Sequence, residues 1–138
     1  MRRGGWPDSN QLEYLADSVW KHFAYGKNAI YEHGHHGNAI LSEIPFTDFR
    51  NIDLSVYSFS QRGILHGQTE EGTHLLCVHL GLFEKERQQQ VDRLIDYIEG
   101  EIPRDEPLIL AGDFNDWRGK AHALIEKRLG LVESELAI

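Results

Sequence analysis

The chain has 138 residues, 41% of them apolar and 10% aromatic, which suits a single folded domain with a real core and excludes disorder. Fourteen Lys and Arg against 22 Asp and Glu leave a net charge of −8, which works against tight, sequence-independent binding to long nucleic acids but does not describe a local site or one inverted by a bound cation. No run approaches the ~18 to 20 apolar residues of a membrane span, residues 1–5 are too short and polar for a signal peptide, and the lone Cys77 excludes an internal disulfide framework, so a cytoplasmic protein with no membrane span is expected.

Asp8 or Ser9 is placed to cap a first helix, whose apolar positions Leu12, Leu15, Val19 and Phe23 recur every three or four residues, with Lys21 and His22 near its end. From Tyr25 to Thr69 the texture changes. The short segments NAIY, NAILS, LSVYSF and GILHGQT, broken by Gly, Pro, Asn and Asp, read as strands joined by turns. THLLCVHL, residues 73–80, is apolar on both faces and predicts a buried strand. A second helix is expected from Glu84 to Gly100, with Val91, Leu94, Ile95 and Ile98 on one stripe and Pro103 beyond its end. PLILAG, residues 107–112, predicts another short buried strand. Strand, helix, strand in this order implies a crossover between parallel strands whose C-terminal ends share one rim. A last helix, Ala121 to Leu129, ends at Gly130, and GLVESELAI reads as a strand that has only begun.

The polar residues that close the two buried strands stand on that rim. His79 ends the first, and Asp113 with Asn115 ends the second in LILAGDFND. In an extended chain Asp113 and Asn115 point to one side and Phe114 to the other, into the core. Phosphate-ester hydrolysis needs an oriented water, donors to the phosphoryl oxygens and a cation against the developing charge. Asp113 could position or deprotonate the water, Asn115 could hold Asp113 or ligate metal, and His79 could donate to a phosphoryl oxygen. The plainer alternative is that Asp113 caps the following turn and Asn115 is an ordinary turn residue.

HHGNAILSEIPF, QRGILHG, HLLCVHLGL followed by a helix containing ERQQQ, and PLILAGDFND together resemble, in order and spacing over residues 23–132, the motifs of the endonuclease/exonuclease/phosphatase superfamily. The stretch from Trp6 to Leu41 further resembles a bacterial subgroup of uncharacterised members. The resemblance implies an α/β DNase I-like four-layer sandwich, two packed mixed β-sheets with helices outside, and Mg²⁺- or Mn²⁺-dependent cleavage of phosphate esters. It implies that His79 contacts the phosphate, that Asp113 orients or activates the water with Asn115 beside it, and that Asp113 and Asn115 offer a weak metal site. Asn38 in GNAIL and Arg62 in QRG match positions near the cleft, and Arg87 matches a recurring Arg of the helix. Structural alternatives stand beside these readings: a backbone bond within its own loop for Asn38, and an ion pair with an acidic side chain for Arg62. Trp117, two residues past Asn115, is a candidate edge of the substrate cleft.

Departures from the family pattern carry equal weight. The early Asn strand, the Gln-Glu motif whose Glu is the main metal ligand, and the late Ser-Asp-His motif have no counterpart in the sequence, and Glu43 stands where a basic residue is usual. These gaps predict a single incomplete domain over residues 1–138, truncated at both ends, with exposed sheet edges through which a homodimer could form. His33, His35 and His36 are read as a loop bordering the cleft, since no cysteine joins them to make a transition-metal site. His22, His66, His74 and His122 are read as surface or satisfied histidines, and Trp20 as a residue packing against the sheet. The expected function is a metal-dependent hydrolase of phosphate esters, weakly active or inactive as this chain; the alternative is a catalytically silent binding domain on the same fold. The substrate stays open among nucleic acid, nucleotide, inositol phosphate and phospholipid headgroup.

Overall fold

The computed structural model describes residues 22–31, 34–116 and 118–134. Two sheets result. Strands β1 (His22–Tyr31) and β2 (Gly34–Ser42) pair antiparallel from His22 with Ser42 to Tyr31 with Gly34. Strands β3 (Phe46–Asp53), β4 (Gly63–Thr69), β5 (His74–His79) and β6 (Leu108–Asp113) form the other, in the order β3-β4-β5-β6. Its first two pairings are antiparallel and the last is parallel. Helix α1 (Glu84–Glu101) links β5 to β6, and α2 (Lys120–Leu129) follows.

The expected helix up to residue 21 lies outside the described residues. Its expected end at Phe23 is corrected, because pairing with β2 takes His22 and Phe23 into a strand. His35 and His36 likewise stand on β2 rather than in a loop, while His33 lies outside the described residues. LSVYSF is not a strand. It is a turn held by an isolated bridge between Tyr57 and Ser60, and the strand of this region is Phe46–Asp53 instead. That strand escapes a reading by apolar alternation because it is an edge of the sheet, with Phe46 and Ile52 only half-buried and the rest exposed.

One face of the four-stranded sheet carries the core. Ile64, Leu76 and Val78 meet Val91, Leu94, Ile95 and Ile98 of α1 and Ala121 and Ile125 of α2. This is the apolar stripe expected of α1, which ends where Ile102 donates its N–H to Ile98 and Pro103 follows. The opposite face meets the smaller sheet. There the buried Asn38 of β2 donates from Nδ2 to the carbonyls of Gly63 at 3.0 Å and Cys77 at 3.2 Å, so one amide joins β2 to β4 and β5. The described residues thus make three layers, two packed sheets and an outer layer of helices: the packed sheets with helices outside are as expected, and of the four expected layers the described residues show three.

Burial of both central strands on both faces is corrected. Strand β5 alternates buried with half-buried residues, and β6 alternates half-buried with exposed ones, Ile109 reaching 57% exposure. Strand β6 is an edge among the described residues, so only its helix-facing side is covered. Residues 130–134 form no strand, and 135–138 lie outside the described residues.

The helix face also buries a polar chain. Tyr97 of α1 bonds Nδ1 of His66 at 2.6 Å, Nε2 of His66 bonds Nδ1 of His74 at 2.8 Å, and Nε2 of His74 bonds Glu106. A neutral imidazole has one donor and one acceptor, so the four groups are satisfied with every proton pointing from Tyr97 toward Glu106. Of the two readings open for these rings, surface or satisfied, the structure shows the second: both are buried and bonded at each nitrogen. Burial first, then the charges of His74 and Arg50, push His66 down from 6.5 to about 4 against the opposing pull of Asp48 and Glu101. With the folded value below the unfolded one, the unfolded chain binds this proton first, so stability is full above about pH 6.5 and is lost as pH falls toward 4. Urea unfolding at pH 7 and pH 4 should show a loss from this group of up to roughly 3 kcal/mol, and His66→Gln should lose correspondingly less over the same interval.

Candidate active site

The rim is built by the parallel pairing of β5 and β6, in which the Cα partners run from His74 with Leu108 to His79 with Asp113. The ladder continues one step, Leu80 donating its N–H to the Asp113 carbonyl at 2.9 Å. Gly112 makes this approach possible. Its φ is +145°, and a Cβ there would lie 1.8 Å from the Val78 carbonyl oxygen, so any side chain would force the two strands apart.

His79 and Asp113 therefore face each other. Nε2 of His79 lies 3.6 Å from Oδ2 of Asp113, just beyond direct bonding, with the side chains 45% and 64% exposed. Both are open to a ligand. The expected extended geometry after Asp113 is corrected: Asn115 has a left-handed φ of 48° and donates its N–H to Oδ1 of Asp113 at 3.0 Å, so Asp113 does cap the following turn. The same turn brings Asn115 back across the rim, where Nδ2 donates to the Leu80 carbonyl at 2.7 Å. One oxygen of Asp113 holds the turn while the other faces His79. Phe114 points the other way and packs on the core, as expected.

The remaining site candidates fall at different depths. Arg62 precedes β4, which runs antiparallel to β5, and so reaches the same rim; its Nε donates to Ser60 at 3.2 Å rather than to a carboxylate. Burial first, and then the Arg62 charge, hold His79 below its ordinary range, while Asp113 pulls it upward. Asn38 does not bond within its own loop; it lies buried beneath the rim, giving its amide protons to Gly63 and Cys77. Arg87 is turned to the carbonyls of Gly81 and Leu82, where it braces the loop after His79. Trp117 lies outside the described residues.

Three supports of the rim carry no sequence signal of chemistry. Gln90, fully buried on α1, accepts the Gly81 N–H at 2.8 Å and donates to the Leu54 carbonyl at 3.3 Å. Glu86, also fully buried, accepts the Phe83 N–H, and it lies so close to Gly81 that a Cβ there would overlap its carboxylate. Asp116 accepts both the backbone N–H and the ring Nδ1 of His122 at 3.0 Å and so fixes the start of α2. Burial would raise the Asp116 carboxyl, but the bonds from His122 and Ala121 outweigh it and hold it low. Polar residues on a helix ordinarily face solvent, so nothing in the sequence marks Glu86 and Gln90 as buried.

A groove of about 920 Å³ runs along β6 from Leu108 and carries Asp113, Asn115 and Asp116 at its polar end. No group of three His, Cys, Asp or Glu side chains able to hold a metal occurs among the described residues. Asp113 supplies one carboxylate, and the amide of Asn115, with its nitrogen turned to Leu80, offers its oxygen. That set fits a hard divalent cation only as a minority of its shell, with water and phosphoryl oxygens making up the rest.

A family model described as the Endonuclease/Exonuclease/phosphatase family matches residues 4–125. The chain is 46% identical over 133 residues to the uncharacterized protein YbhP of Escherichia coli K12, and equally to that of Shigella flexneri. The match takes in 93% of this chain and 52% of the relative, so the chain spans about half the length of the curated relatives it matches. Among solved structures, D. rerio TDP2 complexed with a single-strand DNA product aligns at a TM-score of 0.60 and 20% identity, over 81% of this chain and 46% of that one. A humanized D. rerio TDP2 aligns at 0.57 and 19%, over 81% and 47%. At such identity the likeness is one of fold.

Two measurements check the rim. Gly112→Ala should destabilise the chain by about 2 to 3 kcal/mol in urea unfolding, since it adds both a strained φ and a backbone clash. In an NMR titration of the imidazole, Arg62→Gln should move the His79 pKa upward and Asp113→Asn should move it downward.

Proposed function

The chain belongs to the endonuclease/exonuclease/phosphatase family, and from that membership we propose that it carries part of the active site of a metal-dependent hydrolase of phosphate esters. The observation that carries the reading is the meeting of His79 and Asp113, 3.6 Å apart on an open rim at the ends of two parallel strands. At this separation no atom fits between the two groups, but both are exposed on the same side of the rim, so the imidazole and the carboxylate can address a phosphoryl oxygen and an attacking water side by side from the solvent face.

In this proposal His79, kept neutral at physiological pH by burial and by Arg62, donates an N–H to a phosphoryl oxygen. Asp113 accepts a hydrogen bond from the water and so aims a lone pair at phosphorus, while Asn115 and the Leu80 carbonyl fix the carboxylate's turn. Arg62 adds positive charge beside the phosphate, and Asn38 positions the strands that carry His79 and Arg62 without touching substrate. Mg²⁺ or Mn²⁺ held at Asp113 and Asn115 would supply charge stabilisation for the developing phosphorane. Nucleic acids, nucleotides, inositol phosphates and phospholipid headgroups all present the phosphate ester this site would address.

The sequence contains no counterpart of the family's Gln-Glu and Ser-Asp-His motifs, and among the described residues no three metal-ligating side chains gather. That observation favours low activity for these 138 residues alone, and it is also what a silent binding domain would show. We therefore expect negligible hydrolysis of bis(p-nitrophenyl) phosphate by the chain with Mg²⁺ or Mn²⁺, and EDTA-sensitive hydrolysis by the same residues within a protein of the relatives' full length. In that longer protein His79→Ala or Asp113→Ala should lower kcat by roughly 10²- to 10⁴-fold with the fold intact. Full activity in either variant would sink the assignment, and a full-length protein without any EDTA-sensitive turnover would favour the silent domain.

A further inference from the structure

Beside the rim stand three aromatic rings that the proposed chemistry does not use. Phe59 is 75% exposed at the tip of the turn between β3 and β4, and Phe83, 53% exposed, sits on the loop after β5. Tyr57 stacks on Phe59 with centroids 5.2 Å apart and planes 8° from parallel, and Phe83 meets both edge-on, at 6.1 Å and 6.3 Å. The rings are held rather than draped. Ser60 donates its N–H to the Tyr57 carbonyl at 3.1 Å, and Phe83 donates its own to Glu86 at the start of α1.

Their place in the chain ties them to the site. Phe59 comes three residues before Arg62, and Phe83 four residues after His79, on loops that leave the sheet at the same end. Three guanidinium groups frame the cluster, and each is bonded to one of its two loops: Arg62 to Ser60, Arg87 to Gly81 and Leu82, and Arg93 to Ser55. Of the carboxylates near them, Glu84 pairs with Lys120, Asp53 accepts the Ser55 N–H, and the buried Glu86 accepts the Phe83 N–H. In a chain of net charge −8, three guanidinium groups bonded to the two loops that carry the rings set positive charge beside them.

We propose that Tyr57, Phe59 and Phe83 form a subsite for the purine or pyrimidine base of a nucleotide ester whose phosphate lies at His79 and Asp113. An exposed flat ring offers a base its face whatever the base's identity, and the guanidinium frame favours the phosphate-bearing side of the ligand over neutral aromatics. Inositol phosphates and phospholipid headgroups have no ring to stack, so the subsite would narrow the substrate class to nucleotides and nucleic acids. The inference rests on the phosphate-ester reading above.

Equilibrium dialysis of the 138-residue chain against adenosine 5′-monophosphate and ribose 5-phosphate, in Mg²⁺, tests it. The base-bearing ligand should bind at least about tenfold more tightly. A Phe59→Ala/Phe83→Ala double variant, checked for an unchanged thermal midpoint, should lose that preference while still binding ribose 5-phosphate, and Phe59→Tyr should keep it. His79→Ala should weaken both ligands alike. Equal binding of the two ligands with His79 dependence would overturn the base subsite and leave the phosphate site standing. A base preference lost in the double variant, but with neither ligand sensitive to His79, would unseat the phosphate site and with it the proposal as stated. No binding of either ligand overturns the subsite, as does a dimer that the double variant dissolves, which would assign the rings to a second copy.

Discussion

The close approach of two backbones at Gly112 and Val78 is the constraint on which the rim depends. Parallel strands need a crossover, and here α1 supplies it, packing Val91, Leu94, Ile95 and Ile98 onto the same strands it connects. Burial of that stripe holds β5 against β6, but the ladder reaches His79 and Asp113 only because residue 112 has no side chain. With a larger residue there, the last pairing would open and the imidazole and carboxylate would separate. Chemistry at the rim is in this sense a product of packing several residues away.

Much of this was legible before any coordinates. The stripe of α1, the apolar runs around Leu75 and Leu110, and the order strand, helix, strand fix a crossover, and a crossover puts His79 and Asp113 at one end. Periodicity speaks clearly where one face of an element is buried. It speaks poorly at edges, which is why Phe46–Asp53 carries no strand signal while LSVYSF, a turn rich in β-forming residues, reads as a strand. Leu54, Val56 and Tyr57 have strand-like composition, yet Leu54 is buried as an anchor and the residues after it fold into a turn. The turn at Asn115 defeats an extended-chain argument for the same reason: side-chain bonding to a nearby backbone N–H is a local alternative that spacing does not reveal.

The polar groups inside the molecule were the least legible part. Asn38 reads as a possible cleft residue, and nothing marks Glu86 and Gln90 as buried, because sequence gives no sign of which backbone groups need partners. The structure shows the need. Strands from different sheets meet at Gly63 and Cys77 with carbonyls to satisfy, and the loop at Gly81 presents an N–H inside the protein. Leaving such groups unpaired costs about 1 to 3 kcal/mol each, so a short amide at the right position contributes more than an apolar side chain of similar size would. His66 and His74 answer the same demand on the helix face, each ring satisfied at both nitrogens.

Four consecutive bonding positions on α1, Glu86, Arg87, Gln90 and Arg93, fasten two separate loops, the one that opens at Leu54 and the one that follows His79. The helix is therefore a ruler as well as a crossover. Inserting or deleting a residue between Glu86 and Arg93 would turn part of that set by about 100° around the axis and release one loop while the other stayed held. Length changes beyond Ile98 would leave these tethers, and the bond between Tyr97 and His66, in register and displace only the far end of the helix. Variation in the length of α1 should thus be confined to its last turn, and the two walls of the rim are geared to move with the helix rather than independently of each other.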